Sequence, residues 1–289
     1  MAVIISDEDL ADYHELGFLV VSGVLSEWEL DVIRAELRQV VDYTAGITEN
    51  DDTYDLEPGH TAAEPKVRRI KEPHRVMSSV ADLVRHPVLL ELLTRLLGPG
   101  VRFQTSKLNM KSAGDGSAVE WHQDWAFYPH TNDDLLAVGV MLDDVDESNG
   151  PLCVLPGSHR GMIHDHHVDG RFCGAINPGN DLIDFSAAVP LMGSAGSMTF
   201  HHVRAVHGSA PNRSARSRNL LLFQYAAVDA FPLVQPVDDL AEFDELIVVG
   251  EPTIEPRVTA VPVRMPLPPA LLQGSIYETQ RAMTSRFFE

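Results

Sequence analysis

Glu120-Trp121-His122-Gln123-Asp124-Trp125 is the stretch on which the reading turns. His122 and Asp124 are two apart, and on an extended strand that spacing puts both side chains on one face. An imidazole beside a carboxylate is two-thirds of the 2-His-1-carboxylate set, which leaves three positions open on a non-haem Fe(II). Alone the pair decides nothing, because a His-x-Asp on a strand is more often a surface or structural pair. What surrounds it decides the fold. Residues 101–110, 118–124, 136–142, 152–155, 197–202 and 220–226 are short β-rich runs separated by Gly, Pro, Asn and Asp clusters. Regularly spaced strands with such turn signals specify a sandwich or barrel.

Upstream the texture is helical. Ser6 with Asp9 and Ser26 with Glu29 read as capping boxes. The first opens a helix that stops at Gly17. The second opens a longer one with Leu30, Ile33, Leu37, Val40 and Val41 on one face. Residues 18–21 read as a strand, residues 44–65 as a polar surface loop, and residues 87–97 as a helix stopped by Gly98-Pro99-Gly100. Residues 251–269 are proline-rich and are expected to run extended along the surface, and residues 275–288 to close the chain as a helix. The expected architecture is mainly β with flanking helices, a jelly roll buttressed by helices. It is one domain over residues 1–289, with 1–100 the mainly helical buttress, 101–230 the jelly-roll core and 231–289 a C-terminal extension.

The 289 residues are 44% hydrophobic, enough for a core that needs no staples. A net charge of −20 sets nucleic acid and anionic membrane surfaces aside as partners. Only Cys153 and Cys173 occur, so no disulfide framework is expected and a reducing cytoplasm is the expected home. No apolar run approaches the roughly 18 residues of a membrane span. Against the overall acidity, Lys66, Arg68, Arg69 and Lys71, followed by His74 and Arg75, form a basic cluster. It reads either as a solvated loop or as a rim that meets an anionic substrate group.

The second histidine has three candidates in Phe200-His201-His202-Val203-Arg204-Ala205-Val206-His207-Gly208-Ser209. His207 is followed by Gly208, where backbone can approach closely. Arg213, Arg216 and Arg218 come soon after. An arginine there suits a dicarboxylate ligand, because its planar fork binds both oxygens of a carboxylate.

Four pieces in order now carry a resemblance. They are Gly17-Phe18-Leu19-Val20-Val21 with Gly23-Val24-Leu25, then Trp121-His122-Gln123-Asp124. The third is Asn149-Gly150-Pro151-Leu152 with Pro156-Gly157-Ser158-His159. The fourth is His207-Gly208-Ser209 with Asn212, Ser214 and Arg218. Together the chain resembles the phytanoyl-CoA dioxygenase family of Fe(II)/2-oxoglutarate-dependent oxygenases. The resemblance implies a double-stranded β-helix, a distorted jelly roll of cupin type. It implies Fe(II) on His122, Asp124 and His207. It implies 2-oxoglutarate anchored by Arg218, with Arg216 as the alternative, and supported by Ser209 and Asn109. Lys107 shares the face of Asn109 by alternation, whereas Gln104 points the other way unless a bulge intervenes. O2 is the co-reactant, with succinate and CO2 as products, and a small-molecule C–H bond is hydroxylated. Desaturation, epoxidation or an acyl-CoA substrate are the alternatives. Related halogenases lack the carboxylate that Asp124 supplies, so halogenation is disfavoured.

Substrate contacts are expected from Tyr128, Trp125, His202 and Arg69. Of the adjacent His201 and His202 only one can face the interior, and a hydrogen-bonded core histidine is the competing reading of His202. His159 reads as structural, with Gly157 setting its turn. His164, His166 and His167 read as a solvated loop near the pocket mouth. Residues 44–65 and 156–188 are expected to cover the pocket. Two other functions compete: a metal reaction without 2-oxoglutarate, and a jelly-roll binding module without turnover. The oligomeric state is left open.

Overall fold

Both capping boxes form. Ser6 caps α1 (Asp7–Leu16) and Ser26 caps α2 (Glu27–Tyr43), each with its side chain accepting from the third helical N–H. Such caps are worth about 1 kcal/mol. Gly17 ends α1 with φ 83°, and a Cβ there would lie 2.4 Å from the His159 ring. This computed structural model describes residues 5–114, 116–179, 183–234 and 236–288. Along them run β1 (Phe18–Val21), β2 (Tyr54–Leu56), β3 (Val67–Lys71), α3 (Ser78–Leu83), α4 (Pro87–Leu97), β4 (Val101–Lys111), β5 (Val119–His122) and β6 (Leu135–Met141). There follow β7 (Leu152–Val154), β8 (His167–Val168), β9 (Arg171–Phe172), β10 (Val189–Leu191), β11 (Met198–His202), β12 (His207–Ser209) and β13 (Arg218–Ala227). The last elements are α5 (Leu240–Glu245), β14 (Ile247–Val249) and α6 (Ile276–Thr279).

The main antiparallel sheet has the order β1-β11-β6-β13-β4-β3-β2, with β14 also on β4. The minor sheet is β10-β7-β12-β5. Strand alternation divides the main sheet cleanly. Ile70, Leu108, Phe200, Leu221, Phe223 and Tyr225 pack in one core with Leu30, Ile33 and Leu37 of α2 and Leu89, Leu92 and Leu93 of α4. The residues between them, among them Arg69, Lys107, Asn109, Lys111, Arg218 and Gln224, line cavities on the opposite face. The mainly β jelly roll is therefore as expected.

The first 100 residues do more than buttress. They supply β1, β2 and β3 to the main sheet. The stretch expected as a loop contains β2, and the basic cluster is largely β3, paired with β4 through Arg69↔Asn109 and Lys71↔Lys107. The expected closing helix is shorter than predicted, one turn of α6 and a 3-10 turn, Gln280–Ala282. No described helix is long and apolar enough to cross a membrane.

Candidate metal and cosubstrate site

The minor sheet carries the metal-ligand set. His122 ends β5 and pairs with His207, which opens β12. Gln123 stays extended at φ −122° and ψ 126°, so Asp124, at the start of a 3-10 turn, returns to the side of His122. Gln123 is fully buried and pinned at both ends of its amide. Its Nε2 donates to the carbonyls of Met162 and Arg204, and its Oε1 accepts from the His164 N–H. Asp124 Oδ1 lies 3.7 Å from His122 Nε2 and 4.0 Å from His207 Nε2. One ligand atom from each of the three lies within 4.8 Å of the others, a set that could hold a metal ion.

Second contacts choose which imidazole nitrogen faces the cluster. His122 Nδ1 meets the Glu120 carbonyl at 2.8 Å, and His207 Nδ1 meets the Ala205 carbonyl at 2.9 Å. A carbonyl only accepts, so each Nδ1 carries the proton and donates, and each Nε2 keeps its lone pair for a metal. Burial holds both imidazoles below the ordinary histidine range, as neutral ligands must be. Burial alone would push the Asp124 carboxyl up. Lys107, His207, His122 and His201 outweigh it and hold Asp124 ionised. The donor set thus fits a divalent iron. Gly208 packs its open side on Trp121 and Phe288, where a Cβ would lie 3.1 and 3.2 Å away, so its close approach is to those rings.

Beside the cluster, the main sheet builds a small pocket of different character. Arg218, Ser209, Asn109 and Lys107 all line it. Arg218 is buried, its Nη2 donates 2.6 Å to the Gly150 carbonyl, and its Nε has no partner. Arg216 instead sits at the surface in an ion pair with Asp146 and does not line either cavity. Lys111, which sequence reasoning missed, is buried beside Arg218. It donates to Ser209 Oγ at 2.8 Å and to the carbonyls of Ser209 and Ala210. Burial and the neighbouring Arg218 push its ammonium well down. Tyr277 of α6 closes the pocket with a buried hydroxyl that has no hydrogen-bond partner among the described residues.

A model of the family described as "Phytanoyl-CoA dioxygenase (PhyH)" matches residues 13–220. The chain belongs to the phytanoyl-CoA dioxygenase family. A similar relative is a Stutzerimonas stutzeri protein named "Probable alpha-ketoglutarate-dependent hypophosphite dioxygenase". It is 36% identical over 97% of this chain and 99% of its own length. L-proline trans-4-hydroxylase of Streptomyces griseoviridis is 34% identical over 61% of this chain and 72% of its own. The crystal structure of EctD from S. alaskensis with bound Fe superposes with a TM-score of 0.68 at 25% identity, covering 89% of this chain and 88% of that one. As a member of this family the chain is a 2-oxoglutarate-dependent non-haem iron oxygenase, with iron and 2-oxoglutarate as its cofactors.

A larger cavity, about 1150 Å³, opens from Asp124 toward solvent. Tyr128 and Arg69, two of the four residues expected at the substrate, line it. Two other expected contacts do not. Trp125 is turned into a core with Leu135, Val203 and Ala226, and its Nε1 donates to the Pro262 carbonyl. His202 faces outward, its ring 5.1 Å from that of His159. Alternation brings His201 inward instead, with its Nε2 4.0 Å from Asp124 Oδ2. His159 is structural as expected, its Nε2 against the His14 carbonyl. His166 is not solvated. It is buried, donates from Nδ1 to the His164 carbonyl, and accepts the Gln123 N–H at Nε2. Gln104 does line the large cavity, because a bulge skips it between the pairs Thr105↔Gln224 and Phe103↔Tyr225.

Proposed function

We propose that His122, Asp124 and His207 hold the Fe(II), and that Arg218 binds the far carboxylate of 2-oxoglutarate with Ser209 and Asn109 beside it. The observation that carries this is the meeting of two neutral histidines and an ionised aspartate with a buried, incompletely satisfied guanidinium in one pocket. Loaded with iron and 2-oxoglutarate, such a centre couples oxidative decarboxylation of the cosubstrate to oxidation of a substrate C–H bond. This chain's residues supply the rest. The carbonyls behind the two histidines fix their tautomers, Lys107 keeps Asp124 charged, and Tyr277 covers the cosubstrate pocket. Tyr128, hydrogen-bonded to Gln224, borders the place where substrate enters.

The substrate is a small molecule, and hydroxylation is the outcome that Asp124 favours. The names of the relatives support small substrates: one names hypophosphite and another L-proline. The four exposed carboxylates Asp238, Asp239, Glu242 and Glu245 at the cavity rim oppose a bulky polyanion such as an acyl-CoA. The strands that residues 1–100 lend to the main sheet support one catalytic domain. The unpaired Cys153 and Cys173 support a cytoplasmic home. Anaerobic addition of 2-oxoglutarate to the Fe(II) protein is expected to raise a charge-transfer absorption band, and oxygen to yield succinate. In His207→Ala the band disappears and succinate formation falls more than about 100-fold, beyond the 10–100-fold that loss of an outer partner brings. A band of normal intensity in His207→Ala would overturn the assignment.

A further inference from the structure

Within the basic cluster on and around β3, four cations are answered by the protein, Arg75 by Glu72 at 3.1 Å. Lys66 pairs with Glu64 at 3.2 Å and Lys71 with Asp55 at 3.1 Å. Arg68 pairs with Glu278 at 3.1 Å and covers the Tyr277 ring. Arg69 differs. It points into the large cavity beside Lys107, its Nε is enclosed without a partner, and its guanidinium makes no hydrogen bond or ion pair among the described residues. Asp55 and Asp124 act on it only from beyond ion-pair distance, and both already have cations of their own. Arg69 is half-buried, so its outer N–H groups face the cavity while its Nε is shut off from water, and an enclosed N–H without an acceptor is costly.

Charge balance says what is missing. Arg69, Lys107, Lys111 and Arg218 are the basic side chains of the inner walls, and Asp124 is the carboxylate among them. Iron brings two positive charges and 2-oxoglutarate two negative ones, so loading both leaves the excess of basic groups unchanged. Gln104, also facing this cavity, has a buried Nε2 without an acceptor. A planar fork, an ammonium and an amide N–H are donors only, and together they match a group with two or three oxygens.

We infer that Arg69, Lys107 and Gln104 form an oxyanion-binding site in the substrate cavity, so that the molecule oxidised is a small substrate with one carboxylate, phosphonate or phosphinate group. The inference rests on the iron and 2-oxoglutarate reading for what the site is for, but not for whether it binds. The rim carboxylates add selectivity: an anion that extends outward with further negative charge meets repulsion, whereas a neutral or cationic remainder does not.

Two measurements on the full chain test it. The first is calorimetric titration of the metal-free protein with hypophosphite, methylphosphonate, acetate and L-proline, with acetamide as the neutral control. The second repeats the titration anaerobically with Fe(II) and saturating 2-oxoglutarate, following the charge-transfer band. At least one oxyanion is expected to bind in both formats and shift the band without abolishing it. Arg69→Gln weakens that binding about 30-fold or more, as loss of one partner in a buried charge contact does. Arg69→Lys, which keeps the charge, loses less and controls for misfolding. Acetamide does nothing. The proposal is overturned if no oxyanion binds the wild-type protein, if Arg69→Gln binds as well as wild type, or if acetamide binds equally. A missing band with intact, Arg69-dependent anion binding would sink the cofactor reading and leave the anion site standing.

Discussion

The two walls of the site are built on different principles. On the minor sheet, each histidine of the candidate metal set is oriented by the carbonyl two residues before it, His122 by Glu120 and His207 by Ala205. That wall is locally complete. On the main sheet, Arg69, Lys107, Lys111 and Arg218 come from three strands, and the protein satisfies them unevenly. Lys111 has three oxygen acceptors, Arg218 one, and Arg69 none among the described residues. A wall that answers its own charges holds a shape. One that leaves them open offers its donors to an anion.

That contrast can be broken experimentally. The largest effect is expected from Arg218→Met, which raises the KM for 2-oxoglutarate by about 30- to 100-fold through loss of a buried charge-assisted contact. Metal binding by the minor-sheet wall, measured by Fe(II) or Mn(II) titration without cosubstrate, stays within about threefold. Equal losses of metal and cosubstrate would mean that the walls are not separable. A middling effect concerns pH. Burial drives His166 down to about 4. Between about pH 6.5 and 4 the unfolded chain then binds a proton that the fold excludes, so stability falls as pH falls through that window. Below about 4 both states are protonated and this contribution is gone. The shift corresponds to about 3 kcal/mol at most. Chemical denaturation of metal-free protein at pH 7 and 5 checks it, with a shallower pH slope expected in His166→Gln; an unchanged slope would remove His166 from the account. The smallest effect is Arg216→Met, whose exposed ion pair with Asp146 is screened by solvent and contributes little. Its KM for 2-oxoglutarate stays within about twofold of wild type, and a large rise would reopen the choice between the two arginines.

The difference between the walls also explains what could be read in advance. The metal wall is short-range, so a two-residue spacing and a His-Gly-Ser run expose it. Asn109 was legible through the family resemblance and Lys107 by alternation from it, and the same alternation reaches Lys111. It was missed because the strand was expected to end at residue 110, and β4 runs one residue further. Trp125 was misplaced because the chain leaves the strand for a 3-10 turn at Asp124, and His202 because of alternation itself. Period two says that neighbours diverge, not which of them faces the helices, and Phe200 entering the helix-facing core carries His202 outward. β3 was hidden because its pairing with β2 steps from Asp55↔Arg69 to Leu56↔Val67, skipping Arg68. The slip leaves Val67 and Ile70 three apart, and a strand whose buried residues are not an even number apart does not read as one.

The bulge at Gln104 has a consequence for how such a pocket changes over descent. A strand has two faces and its residues take them in turn, so facing is a matter of counting. One supernumerary residue between Phe103 and Thr105 resets the count for everything on the far side of it, while Lys107, Asn109 and Lys111 keep theirs. Deleting that residue would restore an unbroken ladder, take the Gln104 amide out of the cavity, and leave the facing of Phe103, Lys107, Asn109 and Lys111 as it is. In this fold the choice of substrate is adjustable by chain length as well as by side-chain identity.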